Sequence, residues 1–116
     1  MENKRVYDLE ERTYLFAKNC RLLIASLSKT ISNLQDGRQL VRSSASVAAN
    51  YIEANEKLGD KDFLFRLKIA RKEAKESVLW LKLLRDLNPS FEDTLLNLLN
   101  EAEELRRILS AIINKS

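Results

Sequence analysis

The sequence predicts an all-α protein, an antiparallel up-down-up-down four-helix bundle. Four stretches carry apolar residues at intervals of three and four, which is the spacing of one buried helical face. Glycine occurs twice and proline once in 116 residues, so turns are few and the elements between them are long. Short connections between such helices make successive helices antiparallel. The length suits a single domain over residues 1–116.

The first helix is predicted over residues 7–27. Asp8, Glu10 and Glu11 lie in its first turns, where carboxylates stabilise the positive end of the helix. Residues 28–32 are predicted as the connection to the second helix. The predicted core face of the first helix is Leu9, Thr13, Phe16, Cys20, Leu23 and Leu27.

The second helix, predicted over residues 33–57, contains the one long run built mainly from serine and alanine, Arg42–Ala54. Side chains this small let neighbouring backbones come close, so we expect the bulkier helices to pack around it. Gly59 is predicted as the left-handed residue past the helix end, and Asp60 as the N-cap of the next helix. The heavier side of the second helix is Leu40, Ser44, Val47, Tyr51, Ala54 and Leu58.

The third helix is predicted over residues 61–87 and the fourth over residues 90–113. The third ends at Asn88-Pro89, because the residue before a proline is pushed away from the helical region. Ser90 with Asp93 resembles a capping box at the start of the fourth. The predicted core faces are Phe63, Leu67, Ala70, Ala74, Ser77, Leu81 and Leu84, and then Phe91, Leu95, Leu98, Ala102, Leu105, Leu109 and Ile112.

Composition excludes several kinds of chemistry. The chain has no histidine, so it cannot form a Ser-His or Cys-His nucleophile pair or the usual histidine-rich metal sites. Cys20 falls on a core face, and we expect a buried structural thiol. Glu53, Glu73 and Glu76 are expected to pair with basic residues of neighbouring helices rather than to serve catalysis. We therefore predict no enzyme activity, no metal and no cofactor.

Location follows from what the sequence does not contain. No window approaches the roughly 18 consecutive apolar residues of a spanning helix. No apolar signal-peptide core follows the N-terminus. We therefore expect a cytoplasmic protein without a membrane partner. Asn50 and Tyr51 are expected to be buried and to make hydrogen bonds between helices or subunits.

Several cations on one side of the third helix suggest a phosphate-binding surface: Lys68, Lys72, Lys75 and Lys82, with Arg71 and Arg85 beside them. The alternative interpretation is an ordinary solvated face, since Glu73, Glu76 and Asp86 are close in sequence. Aromatic residues between the lysines would favour nucleic-acid binding, and none is predicted to lie between them. The net charge of +3 allows acidic partners without requiring them.

More apolar residues are present than four core faces need, which predicts self-association. Ile69, Trp80 and Leu83 form the best cluster on the third helix. On the second helix, the smooth side opposite the core supplies further candidates. The predicted oligomer interface is Val41, Ala45, Ala49, Ile52, Ile69, Trp80 and Leu83.

The second and third helices carry a spaced pattern that resembles a known family. The pattern reads Gln39-Leu40-x-Arg42-Ser43-x-x-Ser46-Val47-x-Ala49-Asn50-Tyr51-x-Glu53-Ala54, then Lys61-Asp62-Phe63, Leu67-Lys68-Ile69-Ala70-Arg71-Lys72-Glu73-Ala74-Lys75-Glu76 and Trp80-Leu81-x-Leu83-Leu84. It resembles the bacterial four-helix-bundle proteins first noticed as open reading frames in intervening sequences of 23S ribosomal RNA genes. Tyr7–Thr13 and Phe16-Ala17 look like the N-terminal signature of that family.

The resemblance implies a homopentameric ring and a basic surface facing nucleic acid. It also implies a distant likeness to the accessory variability protein of diversity-generating retroelements, which is pentameric and works with a reverse transcriptase and its RNA. The leading hypothesis is an oligomeric, non-enzymatic bundle that binds RNA or a ribonucleoprotein. The cations most worth testing are Arg38, Arg42, Lys68, Arg71, Lys72 and Lys75.

Two alternatives to RNA binding stay open. One is a protein-interaction module that docks a partner, such as a reverse transcriptase, through an apolar flank. The other is a selfish or vestigial element with a stable structure and little selected activity.

Overall fold

A computed structural model describes residues 2–56 and 58–116, with side chains from residue 8 onward. Within these residues the chain forms four long helices and no strand. They are α1 (Glu2–Ser26), α2 (Ile31–Ala54), α3 (Asp60–Leu87) and α4 (Glu92–Lys115). The molecule measures 44 × 24 × 20 Å. The predicted all-α fold class is confirmed.

Each helix packs on the helices before and after it in sequence, and α4 closes the bundle against α1. The diagonal pairs α1/α3 and α2/α4 make no close backbone approach among the described residues. The connections are short, so neighbouring helices run antiparallel. The packing of α2 on α3 is the most extensive, and that of α1 on α4 is the least.

The predicted core faces supply most of the interior. The largest core side chains are almost completely removed from solvent, among them Phe16, Leu40, Leu67 and Leu95. Phe63, Phe91 and Ile112 are partly buried and pack against this core. Leu58 contradicts its predicted core position and is 79% exposed, because α2 ends at Ala54, one turn before it.

The serine- and alanine-rich run of α2 lies against α3, as its small side chains predict. The hydroxyl oxygens of Ser43 and Ser77 are 2.7 Å apart and completely buried. Ala70 and Ala74 face the same interface with no exposed surface. Because serine and alanine side chains are small, α2 and α3 can pack closely at this contact.

The starts of α2 and α3 differ from prediction for identifiable reasons. Helix α2 begins at Ile31 instead of residue 33, because the hydroxyl of Thr30 accepts a hydrogen bond from the backbone N–H of Asn33 at 3.1 Å. The predicted end of α2 at Lys57 lies outside the described residues. Asp60 is the first residue of α3 and not its N-cap; Gly59 holds that position with φ +138°, a value that favours glycine.

The start of α4 also differs. Pro89–Phe91 form a 3₁₀ turn, and the α-helix begins at Glu92. No side chain caps it, so the predicted capping box of Ser90 and Asp93 does not form. The backbone N–H of Phe91 bonds instead to the carbonyl of Asn88 at 2.9 Å, which closes the turn.

Candidate nucleic-acid interface

The outward side of α3 carries two parallel rows of residues spaced seven apart. Lys61, Lys68, Lys75 and Lys82 form one row, and Phe65, Lys72 and Leu79 form the other. All seven side chains are exposed. Seven residues span about 10.5 Å of helix, so the lysine row is nearly straight and about 32 Å long. We call these seven residues the basic face.

The carboxylates that adjoin these lysines in sequence pair with arginines instead. Glu73 and Glu76 both pair with Arg42 of α2, and Glu76 also accepts a hydrogen bond from Trp80 Nε1 at 3.1 Å. Asp86 pairs with Arg85 at 3.1 Å. Glu73, Glu76 and Asp86 are therefore paired with arginines rather than with the lysines of α3.

The charges of α3 are segregated by this arrangement. Between residues 61 and 82 its acidic side chains, Asp62, Glu73 and Glu76, lie on the flank toward α2. There Arg66 of α3 bonds to Glu53 and Asp62, and Arg42 bonds to the other two. No lysine of the basic face has an ion-pair partner among the described residues. Like charges at three- and four-residue spacing destabilise an isolated helix by a few tenths of a kcal/mol each.

The three predicted arginines occupy different places. Arg42 lies in the α2/α3 seam, 3.1 Å from Glu73, with its side chain 48% exposed. Arg38 is exposed one turn earlier on α2, and Arg71 is half-buried on the α4 side of the basic face. Lys68, Lys72 and Lys75 lie together on the basic face, and the structure does not bring Arg38 or Arg42 onto it.

Phe65 corrects the view that no aromatic residue lies between the lysines. Its side chain is 59% exposed and is within one turn of Lys61 and Lys68 and two turns of Lys72. The candidate residues predicted from the sequence include neither Phe65 nor Lys61. The seven-residue spacing of Lys61, Lys68, Lys75 and Lys82 was the signal that could have identified the face.

Comparison with known proteins identifies the family. The model of the 23S rRNA-intervening sequence protein family matches residues 6–111. The chain belongs to this family. A similar crystal structure is that of a protein of unknown function from the S23 ribosomal protein family of Bacteroides thetaiotaomicron. It is 26% identical, the match covers 94% of this chain and 97% of that one, and the TM-score is 0.82. A search of the curated proteins finds no match.

In this member of the family, the predicted oligomer residues fall into two strips. Val41, Ala45, Ala49 and Ile52 run along the side of α2 that turns toward α1, and Ile52 is 44% exposed. Ile69 and Trp80 lie on the α2 flank of α3, with Leu83 at its outer edge. The ion pairs of Arg42 and Arg66 separate the strips, so the two do not form one continuous apolar patch.

A groove of about 360 Å³ runs between α1 and α4, the least tightly packed pair. Apolar Leu22 and Phe91 and polar Asn19, Asn97 and Thr94 line much of it. The ion pair of Arg12 with Glu101, at 2.7 Å, ties the same two helices further along. The spacing of apolar residues does not predict this groove, because the groove depends on how far α1 and α4 separate.

The remaining predicted polar residues have partners or are buried. Asn50 accepts a hydrogen bond from Arg66 at 3.5 Å between α2 and α3. Burial raises the pKa of the Tyr51 hydroxyl, which bonds to Asn55. Burial also raises the pKa of Cys20 to about 12, so the thiol is protonated and unreactive at neutral pH.

The described residues contain no group of three or more acidic or cysteine side chains placed to hold a metal ion. No helix among them is long and apolar enough to cross a bilayer.

Proposed function

We propose that this protein is a non-enzymatic, oligomeric helical bundle of the bacterial cytoplasm that binds the phosphate backbone of RNA through the basic face of α3. The observation that carries the proposal is the separation of charge on α3. Five lysines lie outward without ion-pair partners among the described residues, while the acidic side chains are held by arginines on the flank.

A polyanion fits this arrangement better than a small ligand does. The lysines follow the helix for about 32 Å without a pocket, and a long row of separate charges is suited to successive phosphates. Ammonium groups of this kind contact phosphates without reading base edges. Arg71 is half-buried beside the basic face and adds to its positive charge, whereas Arg38 is exposed on α2. Arg42 is the weakest of the six candidates, because two carboxylates already neutralise it.

Self-association is part of the proposal. Repetition of the basic face around a homopentamer would place several such rows on one particle, which compensates for a net charge of only +3 per chain. Light scattering of the purified protein should give a mass several times the 13.4 kDa of the chain. A monomer would overturn this part and leave RNA binding by one basic face to be tested separately.

The test of RNA binding compares two double variants by fluorescence anisotropy over a range of salt concentrations. Lys68→Glu with Lys72→Glu should abolish binding to a labelled RNA. Lys18→Glu with Lys29→Glu changes the net charge equally on the exposed outside of α1 and its connection, and should retain most of the affinity. Absence of binding at low salt, or an equal loss in both variants, would overturn the proposal.

The competing function is docking of a partner protein, such as a reverse transcriptase, by an apolar surface. The α1/α4 groove favours it, because Leu22 is 57% exposed within an apolar lining. Charge reversal at Lys68 and Lys72 would spare a contact of this kind. Leu22→Asp should prevent it and should leave RNA binding unchanged.

A further inference from the structure

Phe65 lies within the basic face without contributing to the core. Its side chain is 59% exposed, while Phe63, two residues earlier, packs against the interior. Single exposed apolar residues are common and need no explanation. Phe65 differs because Lys61, Lys68 and Lys72 lie on the same side of the helix. Asp62, three residues before Phe65, is paired with Arg66 at 3.6 Å.

The surroundings of Phe65 determine what can cover the ring. Another copy of the same face would bring lysines against lysines, and like charges across an interface oppose association. A nucleic acid brings phosphates to the lysines and a flat base to the ring. An aromatic side chain between cations is the usual arrangement in proteins that bind single strands, since every base offers a π-face.

We infer that the basic face binds single-stranded RNA, with one base stacked on Phe65 and the flanking phosphates held by Lys61, Lys68 and Lys72. This inference rests on the proposed function and specifies its ligand. In a duplex the bases are already paired and stacked on one another, so the ring would find no base face. A straight row of lysines also matches the phosphates of one extended RNA strand better than it matches the two strands of a duplex.

The experiment measures anisotropy of a fluorescein-labelled 12-nucleotide oligouridine and of a 12-base-pair RNA duplex with the full-length protein. Oligouridine should bind more tightly at every salt concentration. Phe65→Ala should weaken its binding by about fivefold or more, the loss expected from one stacked base. The slope of affinity against salt should not change, since no charge is removed. Phe65→Tyr should bind like the wild type.

Tyr14→Ala is the matched control. It removes an exposed aromatic side chain, 54% exposed, from α1 and outside the basic face, and should leave oligouridine affinity unchanged. A spectroscopic reading is available in the Trp80→Phe background, where Phe65→Trp supplies the single indole of the chain. Oligouridine should quench that fluorescence, and the duplex should not.

The outcomes separate this inference from the proposed function. Salt-dependent binding that is equal for both RNAs, or unaffected by Phe65→Ala, would overturn stacking on Phe65 and leave phosphate binding intact. Loss of all binding in the wild type would overturn both. A lower oligomer mass of Phe65→Ala by light scattering would show that the ring is buried between copies, and would also overturn the inference.

Discussion

The side-chain amides of Asn33 and Asn88 donate to each other's oxygens, at 2.9 and 2.8 Å, at one end of the bundle. Asn33 also donates to the carbonyl of Ser28, and Asn88 donates to that of Leu84. Asn33 is 95% buried by the fold, at 5% relative exposure. The pair thus joins the start of α2 to the end of α3 and satisfies two carbonyls near helix ends.

Asn33→Ala is therefore expected to lower the free energy of unfolding by about 1–3 kcal/mol, because it leaves the amide of Asn88 without its partner. Urea denaturation measures the change. In a double-mutant cycle the two alanine replacements should cost less than their sum. Asn100→Ala, on the exposed side of α4, is the control and should change stability little. Additive effects of the two replacements would contradict a coupled pair.

Gly37 of α2 lies against the side chain of Ile24 of α1. A Cβ built on Gly37 would lie 3.0 Å from Cγ2 and 3.2 Å from Cδ1 of Ile24. Alanine would gain up to about 1 kcal/mol of helix propensity, but the contact with Ile24 offsets that gain. We expect Gly37→Ala to be neutral or destabilising in the wild type and stabilising in an Ile24→Ala background. Thermal unfolding of the four variants tests this, and equal effects in both backgrounds would argue against the contact.

Cys20 should resist a thiol reagent such as DTNB at pH 8 in the folded protein and react quickly in denaturant. Burial raises its pKa from 9.0 to about 12. Because the folded pKa is the higher one, the stabilisation is complete below about pH 9 and is lost as the pH rises toward 12. Between these two pH values the free energy of unfolding falls by up to about 1.4 kcal/mol per pH unit.

The same shift is measurable as a difference between two proteins. Above pH 9, Cys20→Ala should lose stability less steeply than the wild type, while the buried Tyr51 affects both alike. Parallel stability curves for the two proteins would show that the thiol is not buried in solution.

Arg42 and Lys72 offer a direct comparison, since each carries one charge and only Lys72 lies on the basic face. Lys72→Ala should reduce the slope of log affinity for single-stranded RNA against log salt by about 0.7. Arg42→Ala should leave the slope unchanged and should lower the free energy of unfolding by about 0–1 kcal/mol, as expected for a half-exposed ion pair. An equal change of slope in both variants would place Arg42 among the phosphate ligands.

The sequence determined the four helices and most of the residues that they bury, because a three- and four-residue spacing of apolar side chains is a property of each helix alone. It did not place Ser43, Val78 and Leu99 in the core. It predicted the helix ends less well. Thr30, Gly59 and Pro89 fix those ends through local backbone conformation and hydrogen bonds, which periodicity does not describe.

Tertiary structure decided which charges are free. In sequence, Glu73 and Glu76 adjoin Lys72 and Lys75, so sequence position alone does not show whether they pair with these lysines or with a neighbouring helix. The helical rotation of 100° per residue directs the carboxylates toward α2, and the packing of α2 on α3 brings Arg42 to meet them. Which cation neutralises which carboxylate depends on helix pairing between distant parts of the chain, and only the folded bundle supplies that information. The lysines of α3 are left facing solvent for the same reason.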